Sequence, residues 1–219
     1  MADNSKNVFE FRGVEDLYFA RVEEDSEGNY TVGIPRRLSY TATIAKEVES
    51  SSETHFYDNK GMIAITAKGA ETFTLTIAPP PLAVLAEITG QAFDATKGML
   101  IEGSITPRYF AIGYKAKGTD GFWRYVWKYK GVFNIPSEEV NTESDSIDTT
   151  NTELTFTAVN TVHKFDFTDS IAAIDGTLQN KTESISGIVV DERYGRAANL
   201  ADWTTKVMTP SDIEAVTSA

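Results

Sequence analysis

The chain has 219 residues, of which 41% are hydrophobic and 24% charged, a balance that fits a folded globular chain and not a disordered one. Its formal net charge of −12 argues against binding nucleic acid by phosphate neutralisation, and its lack of cysteine excludes a disulfide framework or a thiolate metal site. No apolar run reaches the ~18 residues of a membrane-spanning helix, and the start MADNSKNVFEF lacks the basic and apolar regions of a signal peptide; the lack of cysteine suits folding in a reducing cytoplasm.

The pattern in chain order is mainly β. Asp16 to Glu23 reads as a strand with Leu17, Phe19 and Arg21 on one face and Tyr18, Ala20 and Val22 on the other. Glu27-Gly28-Asn29 signals a turn, and Tyr30 to Ile34 is a short strand stopped by Pro35. Leu38 to Glu49 alternates Tyr40, Ala42 and Ile44 with Thr41, Thr43 and Ala45. A turn is expected at Ser50-Ser51-Ser52, with Glu53 to Tyr57 as the returning strand. Asp58-Asn59-Lys60-Gly61 is a further turn signal. Met62 to Ala67 and Glu71 to Ala78 are strands, and Phe73, Leu75 and Ile77 alternate with threonines in the second. Pro79-Pro80-Pro81 breaks the sheet. Leu82 to Thr89 then spaces its apolar residues as a helix does, with Gly90 as its C-cap.

Gly103 to Lys115 and Phe122 to Lys130 form a hairpin around Thr119-Asp120-Gly121. In its second strand Trp123, Tyr125, Trp127 and Tyr129 share one face, while Arg124, Val126 and Lys128 share the other. Phe133 extends the run, and Pro136 stops it because it has no N–H for a ladder. A solvated or partner-bound linker follows, with Glu138, Glu139, Glu143, Asp145 and Asp148 among few apolar residues. In the next strand Leu154, Phe156 and Ala158 alternate with Glu153, Thr155 and Thr157, and Phe165 and Phe167 continue the β pattern.

No constellation points to catalysis. His55 and His163 are the only histidines, and they lie far apart in sequence with no nucleophile motif beside them. Glu143 to Asp148 offers oxygen atoms at alternate positions but lacks the glycine and terminal glutamate of a calcium-binding EF-hand. No glycine-rich phosphate loop and no cofactor motif is present. Trp123, Tyr125 and Trp127 suit either a sandwich core or a sugar-binding platform. The second possibility keeps a non-catalytic carbohydrate- or cell-surface-binding β-sandwich module as the alternative function.

The aromatic strand, the Phe133 to Glu139 run (Phe-x-x-Pro-Ser-Glu-Glu), the acidic Thr-rich linker and the Thr-rich strand together resemble the major tail proteins of long, non-contractile-tailed phages of Gram-positive bacteria. Trp203, Val207 and Pro210 are similar to that family's terminal Trp-x-x-x-Val-x-x-Pro segment. The resemblance implies a β-sandwich or barrel-like tail-tube fold with one short flanking helix, long loops and terminal arms. It also implies a structural virion protein with no enzymatic activity and no cofactor. Such siphovirus proteins form hexameric rings that stack into a tube, and DNA is ejected through the tube without specific binding. The implied partners are further copies of the chain, a tape-measure protein inside the tube, and tail terminator and baseplate or initiator proteins. The implied location is the virion tail, after assembly in the host cytoplasm.

Within that frame residues 1–168 form the sandwich domain, with the N-terminal arm and the linker 134–153. Residues 169–198 form a variable insertion or loop, and residues 199–219 a C-terminal segment or arm. The linker acids Glu138, Glu139, Glu143, Asp145 and Asp148 become inter-subunit contacts, ordered with the arms only against neighbouring copies. The segment Thr41 to Asp58 has one polar face and carries Glu47, Glu49 and Glu53, expected near a hairpin tip. It is either an ordinary surface hairpin or, in a ring, the wall of an acidic lumen.

Overall fold

The computed structural model describes residues 8–57, 60–137, 151–171, 178–195 and 197–215. It is mainly β and sandwich-like, with thirteen strands and one α-helix among these residues. The strands are β1 (Phe11–Asp25), β2 (Tyr30–Val32), β3 (Arg36–Arg37), β4 (Thr41–Tyr57), β5 (Lys60–Ile77), β6 (Ala92–Asp94) and β7 (Met99–Ile101). They continue with β8 (Phe110–Gly118), β9 (Trp123–Phe133), β10 (Thr152–Ala158), β11 (Phe165–Asp169), β12 (Gln179–Glu183) and β13 (Gly187–Asp191). Helix α1 spans Leu82–Thr89.

The main sheet runs β2-β1-β8-β9-β10-β5-β4 and forks at β9. One edge of β9 carries β8. On the other, β13 pairs with Arg124 to Lys128 and β10 pairs with Gly131 to Phe133. The fork gives two layers, and each strand face between them buries its alternate residues. Leu17, Phe19, Phe110 and Ile112 from β1 and β8 meet Phe73, Leu75, Leu154 and Phe156 from β5 and β10 in the first core cluster. The second cluster lies on the opposite face, where Ala20, Ala111, Trp127 and Tyr129 are covered by Phe165, Trp203, Val207 and Met208. The central residues of β1, β8 and β9 are thus buried on both faces, although charged residues interrupt the sequence of each strand.

Several sequence expectations hold. Phe73, Leu75 and Ile77 are fully buried, as are Leu154 and Phe156, while the threonines between them face outward. Helix α1 ends at Gly90, whose φ of 75° no β-carbon residue adopts without strain; a Cβ there would sit 2.1 Å from the Thr106 carbonyl oxygen.

Other expectations are corrected. Ser50-Ser51-Ser52 is not a turn: these residues lie within β4, paired with Lys68, Ala67 and Thr66 of β5. Three serines set no turn geometry, and the pairing runs past them to Tyr57↔Lys60; Asp58 and Asn59 of the other expected turn lie outside the described residues. Met62 to Ile77 is accordingly part of one long strand, not two. The expected loop at 169–198 contains β12 and β13, and β13 joins the main sheet beside β9. The C-terminal segment packs on its own body through Trp203, Val207 and Met208, so this stretch is not an arm that waits for a neighbour.

Candidate assembly surface

Strands β4 and β5 form a hairpin of 17 and 18 residues, each far longer than the other strands of their layer. At ~3.3 Å per residue an arm of this length extends over 50 Å. Its inner end is packed: Ile44 lies against the first core cluster and Leu75 and Ile77 are inside it. Beyond the bulge at Val48/Ser50 the described side chains from Val48 to Thr54 are exposed, as are Ala67 and Lys68. β4 ends the sheet, with β5 as its one partner among the described strands, so a long row of backbone N–H and C=O groups faces outward.

Glu47, Glu49 and Glu53 are all exposed and all on β4, but mid-strand and not at a tip. Glu47 points away from Lys46, the next residue of an alternating strand. Glu49 lies over Gly69, where a Cβ would come within 2.9 Å of its own Cβ. The structure therefore places these acids at exposed positions of β4, Glu47 beside the packed root, Glu49 at the bulge and Glu53 on the arm beyond it. Glu138, Glu139, Glu143, Asp145 and Asp148 lie outside the described residues, as does the Glu143 to Asp148 loop.

The root of the hairpin holds a buried ion cluster. Glu71, 2% exposed, pairs with Lys128 and Lys68, and its Oε2 lies 3.3 Å from Lys46 Nζ. Ser186 Oγ donates to Glu71 Oε1 at 3.3 Å and accepts from Lys128 Nζ at 3.3 Å. Burial pushes the Glu71 carboxyl up, but the hydrogen bonds and charges of Lys128, Lys68 and Lys46 outweigh it and bring it down to about 2. The same burial lowers Lys128, against the pull of Glu71. Lys128 comes from the aromatic strand and Glu71 from the hairpin, so the cluster ties the arm to the centre of the sandwich. The sequence places Lys128 on one face of β9 with Arg124 and Val126, and gives Glu71 no role.

The aromatic face is structural. Trp127 is fully buried, its Nε1 donating to the Trp203 carbonyl at 3.2 Å. The Tyr129 hydroxyl donates to the Met208 carbonyl at 2.9 Å. Tyr125 packs edge-on to Trp203, with ring centroids 5.3 Å apart, and donates to Glu192 at 2.9 Å. The half-buried Trp123 lies under Lys115 and Lys117, 4.6 and 4.9 Å from its ring centroid. No open platform of Trp123, Tyr125 and Trp127 is left for a sugar ring to stack on.

Among the described residues no group of His, Asp or Glu is arranged to hold a metal ion, and His55 and His163 belong to no common site. The His163 backbone N–H instead donates to Asp25, which also pairs with Lys130 at 2.6 Å. No helix among the described residues is long and apolar enough to cross a membrane. The sequence matches no known family model and no curated relative.

Proposed function

We propose that the chain is a tail-tube protein, a structural component whose copies associate head to tail into hexameric rings that stack into a phage tail tube. The observation that carries the reading is the β4–β5 arm: a long hairpin with an unpaired outer edge, exposed beyond the sandwich. An edge of that length is a template for pairing with another chain, and a closed ring of such arms removes every free edge. A head-to-tail contact that closes on itself makes a ring, and stacked rings make an open filament. On this reading Glu47, Glu49 and Glu53 face the lumen, and the acids from Glu138 to Asp148 contact neighbours. The tube encloses a tape-measure protein, meets terminator and baseplate proteins at its ends, and passes DNA without holding it. The protein catalyses nothing and resides in the virion tail.

Sedimentation velocity across a wide concentration range tests the association. Large assemblies that grow with concentration are expected, and replacing Ser51 to Ala67 by Asn-Gly, which keeps Lys68 beside Glu71, should leave the monomer folded and abolish them. A monomer at every concentration, with an unchanged variant, would remove the basis of the proposal.

A further inference from the structure

A groove of about 470 Å3 opens between β4 and the layer formed by β1, β8, β9 and β13. Its floor is apolar, built from Val14, Ile44, Tyr114 and Val126. Its charged lining is of one sign: Arg12, Lys46, Arg124 and Lys128 line it, and none of its described lining residues is acidic. In a chain of net charge −12 this concentration of cations is against the average. It is only partly neutralised from behind. Glu71 offsets Lys128 and Lys46, and Asp191 pairs with Arg124 at 2.9 Å. Arg12 is exposed and has no ion pair among the described residues. The groove therefore presents an apolar floor inside a rim with excess positive charge.

We propose that this groove receives the acidic segment 138–148 of a second copy of the chain, an inference that rests on the self-assembly reading above. The segment is complementary on both counts. Glu138, Glu139, Glu143, Asp145 and Asp148 supply carboxylates with no lysine or arginine between them, and Val140 and Ile147 supply apolar side chains for the floor. Complementary charge fixes register and suppresses wrong partners, while the apolar contacts supply the area that leaves water. Ring or stack formation then inserts one copy's linker between the two layers of the next, beside the Lys128–Glu71 cluster that anchors the hairpin.

The test uses a fluorescent peptide covering residues 136–150, titrated into the full-length protein and followed by anisotropy. Binding is expected, weakening as salt rises and about tenfold weaker to R12E/K46E. Arg12→Gln, which touches an exposed residue with no ion pair, keeps the test valid should R12E/K46E fail to fold, and a weaker loss is expected from it. No binding, equal binding to wild type and these variants, or equal binding of a scrambled peptide would overturn the proposal. So would binding seen only after residues 138–148 of the protein itself are replaced by Gly-Ser, since the groove would then hold its own linker. Electron microscopy of the same samples separates the two readings: tubes that form although the peptide neither binds nor competes would reject the groove contact and leave the tube standing.

Discussion

At the scale of single residues, Trp127 and Glu71 hold the two faces of β9. Trp127 packs against Trp203 on one face, and its ring also lies so close to Gly113 that a Cβ there would meet it at 2.6 Å. Truncating Trp127 to alanine should cost about 3–5 kcal/mol, and Gly113→Ala, which overpacks the same contact, about 1–3 kcal/mol; urea unfolding measures both. On the other face Glu71 is charged when folded because the lysines around it outweigh its burial. Its folded value of about 2 is below its ordinary 4.5, so the stability it contributes is complete above pH 4.5 and is lost as pH falls towards 2. Melting curves across that range should show wild type losing its advantage over Glu71→Gln. At neutral pH that variant should be less stable by about 3 kcal/mol, since it leaves the buried Lys128 without its counter-charge. A constant difference between the two proteins across the range would refute this role.

Among the elements, the β4–β5 hairpin combines a packed root with an exposed arm, and the two parts should separate experimentally. Shortening it from Ser51 to Ala67 keeps Lys68 beside Glu71 and removes described side chains that are exposed, His55 excepted, so the melting temperature of the monomer should change little. A large fall would mean that the arm supports the sandwich. Much of this fold was legible in the sequence because period-two alternation is a direct record of burial: it marked Phe73 to Ile77 and Leu154 to Ala158, and the proline and glycine punctuation marked α1. The arm was misread because Ser50-Ser51-Ser52 is polar, and polarity marks exposure without telling an exposed strand from a turn. Strand β13 was missed for a related reason: Val189 and Val190 follow a polar stretch, and only pairing with β9 reveals their place. The Glu71 cluster was not legible at all, because Lys46, Lys68, Glu71 and Lys128 converge from three strands and sequence alone does not place those strands together.

For the whole molecule, the sign of the charge along the arm decides how a tube would treat DNA. Glu47, Glu49 and Glu53 on every copy would give a lumen that repels the polyanion. Tubes of E47K/E49K/E53K should still assemble but retain DNA at low salt and release it as salt rises, because each lysine–phosphate contact releases counterions. A filter-retention assay reads this, and equal retention by both tubes would place these acids elsewhere. The most direct measurement is cryo-electron microscopy of the concentrated protein. The account predicts tubes of stacked rings whose inner wall is the β4–β5 arm, with Glu47, Glu49 and Glu53 facing the axis; isolated monomers, or an arm on the outer surface, would contradict it.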